Sequence, residues 1–90
     1  MVKPYRWNEW NIEHIADHGI SPREAEYVID HAARPWPEDT GEDRYRVLGI
    51  GPDGTYLHVV FIYSPPGVVY VIHARPMTET EKRRYRRRKQ

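Results

Sequence analysis

Residues 45–74 read YRVLGIGPDGTYLHVVFIYSPPGVVYVIHA, and the rhythm of this stretch decides the fold. Tyr45–Ile50, Tyr56–Tyr63 and Val68–Ala74 are runs rich in β-branched and aromatic residues, the side chains that fit a pleated surface best. Gly51-Pro52-Asp53-Gly54 and Ser64-Pro65-Pro66-Gly67 separate the runs. Gly and Pro in such clusters supply the backbone angles of tight turns. Connections this short join antiparallel neighbours, so the three runs predict a β-meander. Val68-Val69-Tyr70-Val71-Ile72 is apolar on both faces and is expected to be the central strand, covered on both sides.

On the N-terminal side the period changes to that of helices. Trp7-Asn8-Glu9-Trp10 opens the first, with Asn8 as N-cap, and Gly19 stops it. Trp10, Ile12 and Ile15 give it apolar surface, and His14 and His18, four apart, share a face. Ser21-Pro22-Arg23-Glu24 starts a second helix: Ser21 and Glu24 make a capping box, and Pro22 suits the first helical position. Ala25, Val28, Ile29 and Ala32 recur at helical spacing and face a core. Pro35-Trp36-Pro37 ends the helical region, and Glu38–Asp43 reads as an acidic loop. There is room for a short strand before Trp7. On the C-terminal side Thr78-Glu79-Thr80-Glu81 is another capping box, opening a basic last helix whose charges suit its dipole. Met77, Glu81 and Tyr85 form its stripe toward the sheet. The order predicts an α+β fold with two N-terminal helices, an antiparallel meander and a C-terminal basic helix.

A chain of 90 residues is expected to form a single domain over 1–90, since two cores of half that size would be too small to hold. Its net charge of +1 conceals an asymmetry. Up to Glu81 there are seven Lys/Arg against thirteen Asp/Glu, a balance of −6; from Lys82 onward there are seven Lys/Arg and no acid, a balance of +7. Such an end suits nucleic acid or an acidic partner. The absence of cysteine excludes disulfides, a thiol nucleophile and a thiolate zinc site. No apolar run is long enough to span a membrane, and Met1–Trp7 has no signal-peptide pattern. A cytoplasmic location is the expectation.

Gly49-Ile50-Gly51-Pro52-Asp53-Gly54 matches GxGxxG literally, but a strand follows it where a dinucleotide fingerprint needs a helix. His14 and His18 have the spacing of two metal ligands, yet the third, His31 or a carboxylate, is unspecified. The helix–Gly–helix segment lacks the basic and amide residues of a DNA-reading helix, Arg23 excepted. Arg44 and Arg46 share one strand face. Arg75 leaves an apolar strand just before a helix, a placement that suits a phosphate or an ion pair with the acidic loop. His73 reads either as an acid/base or as a satisfied core histidine.

In order along the chain, Trp7, Asn11, His14-Ile15-Ala16-Asp17-His18-Gly19-Ile20-Ser21, Glu24-Ala25, Glu42-Asp43-Arg44-Tyr45, Leu48-Gly49, Val71-Ile72-His73-Ala74-Arg75-Pro76-Met77-Thr78 and Glu81-Lys82-Arg83-Arg84-Tyr85 resemble the BrnT family of bacterial type II toxins. The resemblance implies a RelE-like α+β ribonuclease that cleaves RNA to halt translation. It also implies a BrnA-like ribbon-helix-helix antitoxin and a homodimer within the complex. Trp7, Arg44 and Arg75 match positions that look functional in the family; the basic residues after Thr78, among them Arg83, Arg84 and Arg87, are weaker matches. Two features depart from its pattern: His73 stands where a small hydroxyl residue is expected, and the helix hairpin is acidic.

Metal-independent RNA cleavage uses the 2′-hydroxyl as internal nucleophile and needs a base, an acid and cations on the phosphate, with no cofactor. Arg44 and Arg75 are the candidates for charge stabilisation, His18 or His73 for proton transfer, and Trp7 for stacking on a base. Arg46, Arg83, Arg84 and Arg87 are the further candidates for RNA contact. The alternative is a non-catalytic module of the same fold that uses its basic helix to bind protein or nucleic acid.

Overall fold

The computed structural model describes residues 4–64 and 67–89. Its elements are β1 (Tyr5–Arg6), α1 (Glu9–Ala16), α2 (Pro22–Asp30), β2 (Glu38–Gly41), β3 (Arg44–Ile50), β4 (Tyr56–Ser64), β5 (Val68–Pro76) and α3 (Glu79–Lys89). The strands form one five-stranded sheet in the order β1-β5-β4-β3-β2. β1 runs parallel to β5, and the remaining pairs are antiparallel. The expected α+β class and element order therefore hold, with a mixed sheet larger than the expected meander. Pro65 and Pro66, part of the second expected turn, lie outside the described residues.

Local chemistry sets the helix ends. The Asn8 side chain accepts from the Asn11 backbone N–H at 3.1 Å, and the Asn11 side chain accepts from the Asn8 N–H at 2.8 Å. Ser21 and Glu24 close the same box at the start of α2, and Thr78 and Glu81 at the start of α3. Gly19 takes a positive φ of 75° beyond α1, a conformation that glycine adopts freely.

Alternation along the strands divides the sheet into two faces. Val47, Gly49, Leu57, Val59, Phe61, Val71 and Ala74 face the helical hairpin. Gly49 apart, these belong to the buried core together with Ile15, Ile20, Ala25, Val28 and Ile29, and the same cluster takes in Leu48, Trp36 and Tyr85. A Cβ on Gly49 would stand 3.1 Å from Val28 Cγ1, so the glycine lets α2 lie close on β3. Arg44, Arg46, Leu48, Tyr56, His58, Val60, Tyr70, His73 and Arg75 face the other way, by the pairing register. Over one end of that second face α3 docks, with Tyr85 buried beside Trp36 and Tyr56. Met77 is buried as well, whereas Glu81 turns to a charged partner.

Two expectations are corrected here. β4, not β5, is the central strand. The apolar run of β5 has a different cause: α1 packs along it, and a bulge opposite Val60 and Phe61 shifts its alternation so that both Val71 and Ala74 are buried. The supposed acidic loop also contains a strand, β2, joined to β3 by Glu42 and Asp43 with φ of 57° and 61°. A two-residue hairpin of this hand needs positive φ at both positions. Asn-Gly usually announces it, and Glu-Asp conceals it.

Candidate functional site

The register lays the sequence-predicted residues out as a grid. His73 pairs with Val60, which pairs with Arg46; Arg75 pairs with His58, which pairs with Leu48. The bulge in β5 is what sends His73 and Arg75 to the same outer face while Ala74 enters the core. His73 is half-buried and is ringed by other imidazoles. Its ring centroid lies 5.5 Å from His18, 5.9 Å from His58 and 6.0 Å from His14. His18 follows α1 rather than ending it, in the exposed turn after Ala16, and still faces His73.

Each inner arginine of this face is held by a carboxylate. Arg75 donates through both terminal nitrogens to the two oxygens of Glu81, at 2.8 Å each, and to the Pro76 carbonyl at 3.1 Å. Glu81 Oε1 also accepts from the Thr78 N–H at 2.9 Å. One carboxylate thus caps α3 and fixes the guanidinium. Arg46 donates to Glu38 Oε1 at 2.8 Å, and Arg84 of α3 donates to the other oxygen of Glu38. Glu38 thereby ties β2, β3 and α3 together. The ion pair with the acidic stretch, one of two readings of these arginines, forms at Arg46 through Glu38, whereas Arg75 pairs with the capping acid of the next helix.

The charge environment follows from these contacts. The Arg75 hydrogen bond holds Glu81 down to about 2, against the opposing effect of its burial. Burial raises the Glu38 carboxyl, but the hydrogen bond from Arg46 and the charge of Arg84 outweigh it and the net shift is downward. The Arg75 guanidinium is pushed further up by Glu81. His58 is only 7% exposed. Burial first, then the Arg75 charge, push it down to about 4, so it is neutral at pH 7. His73 is shifted down by burial and by Arg75, His18 and His14. A neutral imidazole beside a fixed guanidinium can take up a proton where a phosphate gains charge.

The other candidates lie outside this cluster. Arg44 is exposed on the same face. It sits four residues along β4 and two strands across from Arg75, which at about 3.4 Å per residue and 4.8 Å per strand separates their backbones by about 17 Å. Arg46 is one row nearer. Trp7 is half-buried against the core and its Nε1 donates to Glu26 at 2.7 Å. Arg83 and Arg87 lie on the exposed side of α3, where with Thr80 and Arg86 they line a shallow depression; Arg83 also donates to Thr80 at 3.3 Å. His31 stacks on Tyr27 at the end of α2, away from His14 and His18. Among the described residues no three His, Asp or Glu side chains are grouped so as to hold a metal ion.

Sequence reasoning missed Glu38 and His58, the one because it was assigned to a loop and the other because nothing local marks it as buried. It also missed Arg6 and Tyr70, which lie against each other with the guanidinium 5.2 Å from the ring centroid.

The outer sheet face thus joins histidines and arginines beside a basic helix. The description of one family, the BrnT ribonuclease toxin of type II toxin-antitoxin systems, matches residues 7–81. The chain belongs to that family. No curated protein and no solved structure matches it at a significant level. Among the described residues no helix is long and apolar enough to cross a membrane.

Proposed function

We propose that this chain is a metal-independent endoribonuclease whose reacting phosphate lies over His73 and Arg75. The observation that carries the reading is the bulge in β5, which sends both side chains outward beside His18 and His58. In the proposed reaction a histidine, His73 or His18, accepts the proton of the 2′-hydroxyl. The freed 2′-oxygen attacks the adjacent phosphorus, the bond to the 5′-oxygen breaks, and that oxygen takes a proton from the other histidine. The products are a 2′,3′-cyclic phosphate and a 5′-hydroxyl. Arg75, held in place by Glu81, faces the negative charge that builds on the phosphoryl oxygens. Arg46 and Arg44, in successive rows of the same face, would hold neighbouring phosphates, with Arg83, Arg84 and Arg87 extending the basic path along α3.

Cleavage of this kind would halt translation in the cytoplasm. The expected antitoxin is a BrnA-like ribbon-helix-helix protein, with a toxin homodimer in the complex. The test is incubation of purified chain with total RNA in EDTA, with and without ribosomes, alongside Arg75→Ala prepared identically. Cleavage by the parent and none by Arg75→Ala is the expected result. Equal cleavage by both would overturn the assignment, and RNA bound but left intact under every condition would favour the binding module.

A further inference from the structure

The outer face continues past His73 into a row of aromatic rings that the proposed reaction does not use. Trp10 is 54% exposed, an unusual position for the largest apolar side chain. It is not loose. Its ring lies 4.8 Å from His14 and 8° from parallel with it, and 6.4 Å from Tyr70 at 18°. Tyr70 is fixed in turn: its hydroxyl donates to Asn8 at 3.3 Å, and the Arg6 guanidinium lies over its ring. The rings of Trp10, His14 and Tyr70 are thus nearly parallel, held by α1, β5 and β1, and open to solvent through the indole.

We propose that Trp10 is the stacking platform for an unpaired base of a single-stranded RNA, the base adjoining the phosphate over His73 and Arg75. The proposal rests on the ribonuclease reading and names how its substrate is held. Three observations select this occupant. The platform is continuous with the cluster through His14, whose ring lies 6.0 Å from that of His73. The indole is held by parallel rings yet 54% exposed, and a fixed, exposed indole can stack on a flat π system, the means of single-strand recognition. Glu13 and Asp17 line the depression beside Trp10 and His14. Two carboxylates repel phosphate there, so a nucleotide at this place presents its base to α1 and its phosphate to the arginines. Trp7, half-buried with its N–H committed to Glu26, offers no comparable face.

The test uses a labelled single-stranded oligonucleotide with 2′-O-methyl sugars, which binds without being cleaved, and measures its dissociation constant by anisotropy. Trp10→Ala is expected to weaken binding about tenfold to a hundredfold, with Trp10→Phe restoring most of it. Ile12→Ala, an exposed apolar residue of the same helix, is the control and is expected to bind as the parent does. On cleavable RNA, Trp10→Ala raises KM and leaves kcat near the parent value. Unchanged affinity in Trp10→Ala, while the parent cleaves and Arg75→Ala does not, overturns this inference alone and leaves the indole to a protein partner. An equal loss in Ile12→Ala overturns it as well. A parent that neither binds nor cleaves RNA overturns both readings together.

Discussion

The two faces of the sheet are built from the same strands and obey opposite rules. Along β4, Leu57, Val59 and Phe61 point to the helical hairpin and are almost completely buried. Between them, His58 and Val60 point to the face that carries Arg46, His73 and Arg75. On the first face any apolar side chain of suitable volume serves, because burial is non-directional. On the second, apolar burial is confined to the end where Leu48, Trp36 and Tyr85 meet, and the rest is tied by particular pairs, Arg75 with Glu81 and Arg46 and Arg84 with Glu38. Most of the apolar core lies on the face opposite the charged cluster, so changes there should leave the cluster largely intact.

The largest expected effect tests the apolar face. Leu57→Ala empties a fully buried site and should cost about 2–5 kcal/mol, read as a lower Tm and urea midpoint. An intact cleavage rate in the surviving folded fraction would confirm the separation. Next comes Arg75→Ala, expected to lower the cleavage rate about 100- to 1,000-fold while lowering stability by only about 1 kcal/mol. A large loss of stability would mean that the charged face also holds the fold together. Glu81→Gln is milder. Glutamine keeps the capping-box acceptor and removes the negative charge that Arg75 pairs with, for an expected loss of about 1 kcal/mol; chemical denaturation at pH 7 measures it.

The last effect is spread over pH. His58 and His73 are shifted down in the folded chain, so the unfolded chain binds their protons first. Their contribution to stability is complete above about 6.5. It is lost as pH falls, for His58 down to about 4. Glu81, held at about 2, follows: its contribution is lost between the ordinary carboxylate range and about 2. Stability should therefore fall in two stages on acidification. His58→Leu should flatten the first stage and Glu81→Gln the second, as followed by denaturation at a series of pH values.

The elements that were legible in the sequence are those fixed by near neighbours. Asn8, Ser21 and Thr78 cap helices because their partners lie three residues away. The meander was legible because turn residues punctuate alternating runs. β2 was hidden because Glu42 and Asp43 adopt left-handed angles without the usual residues for them. Of the candidate site, Arg75, His73, His18 and Arg46 were visible as residue types, but their grouping was not. Arg44 carried the same signal and stands a grid row further out. Trp7 was read as the stacking residue and Trp10 as apolar helix surface; the structure half-buries the first and leaves the second 54% exposed.

The sequence by itself determined the α+β order of elements, the helix caps, the acidic body with its basic end, and the family likeness, because each rests on local spacing or composition. Only the tertiary structure decided which strand is central, that a bulge turns His73 and Arg75 to the outer face, and that Glu38 pairs both with Arg46 and with Arg84, the latter 46 positions further along the chain. The reason is physical. Caps and turns are closed by atoms a few bonds apart, whereas strand register and ion pairs depend on which surfaces the core brings together.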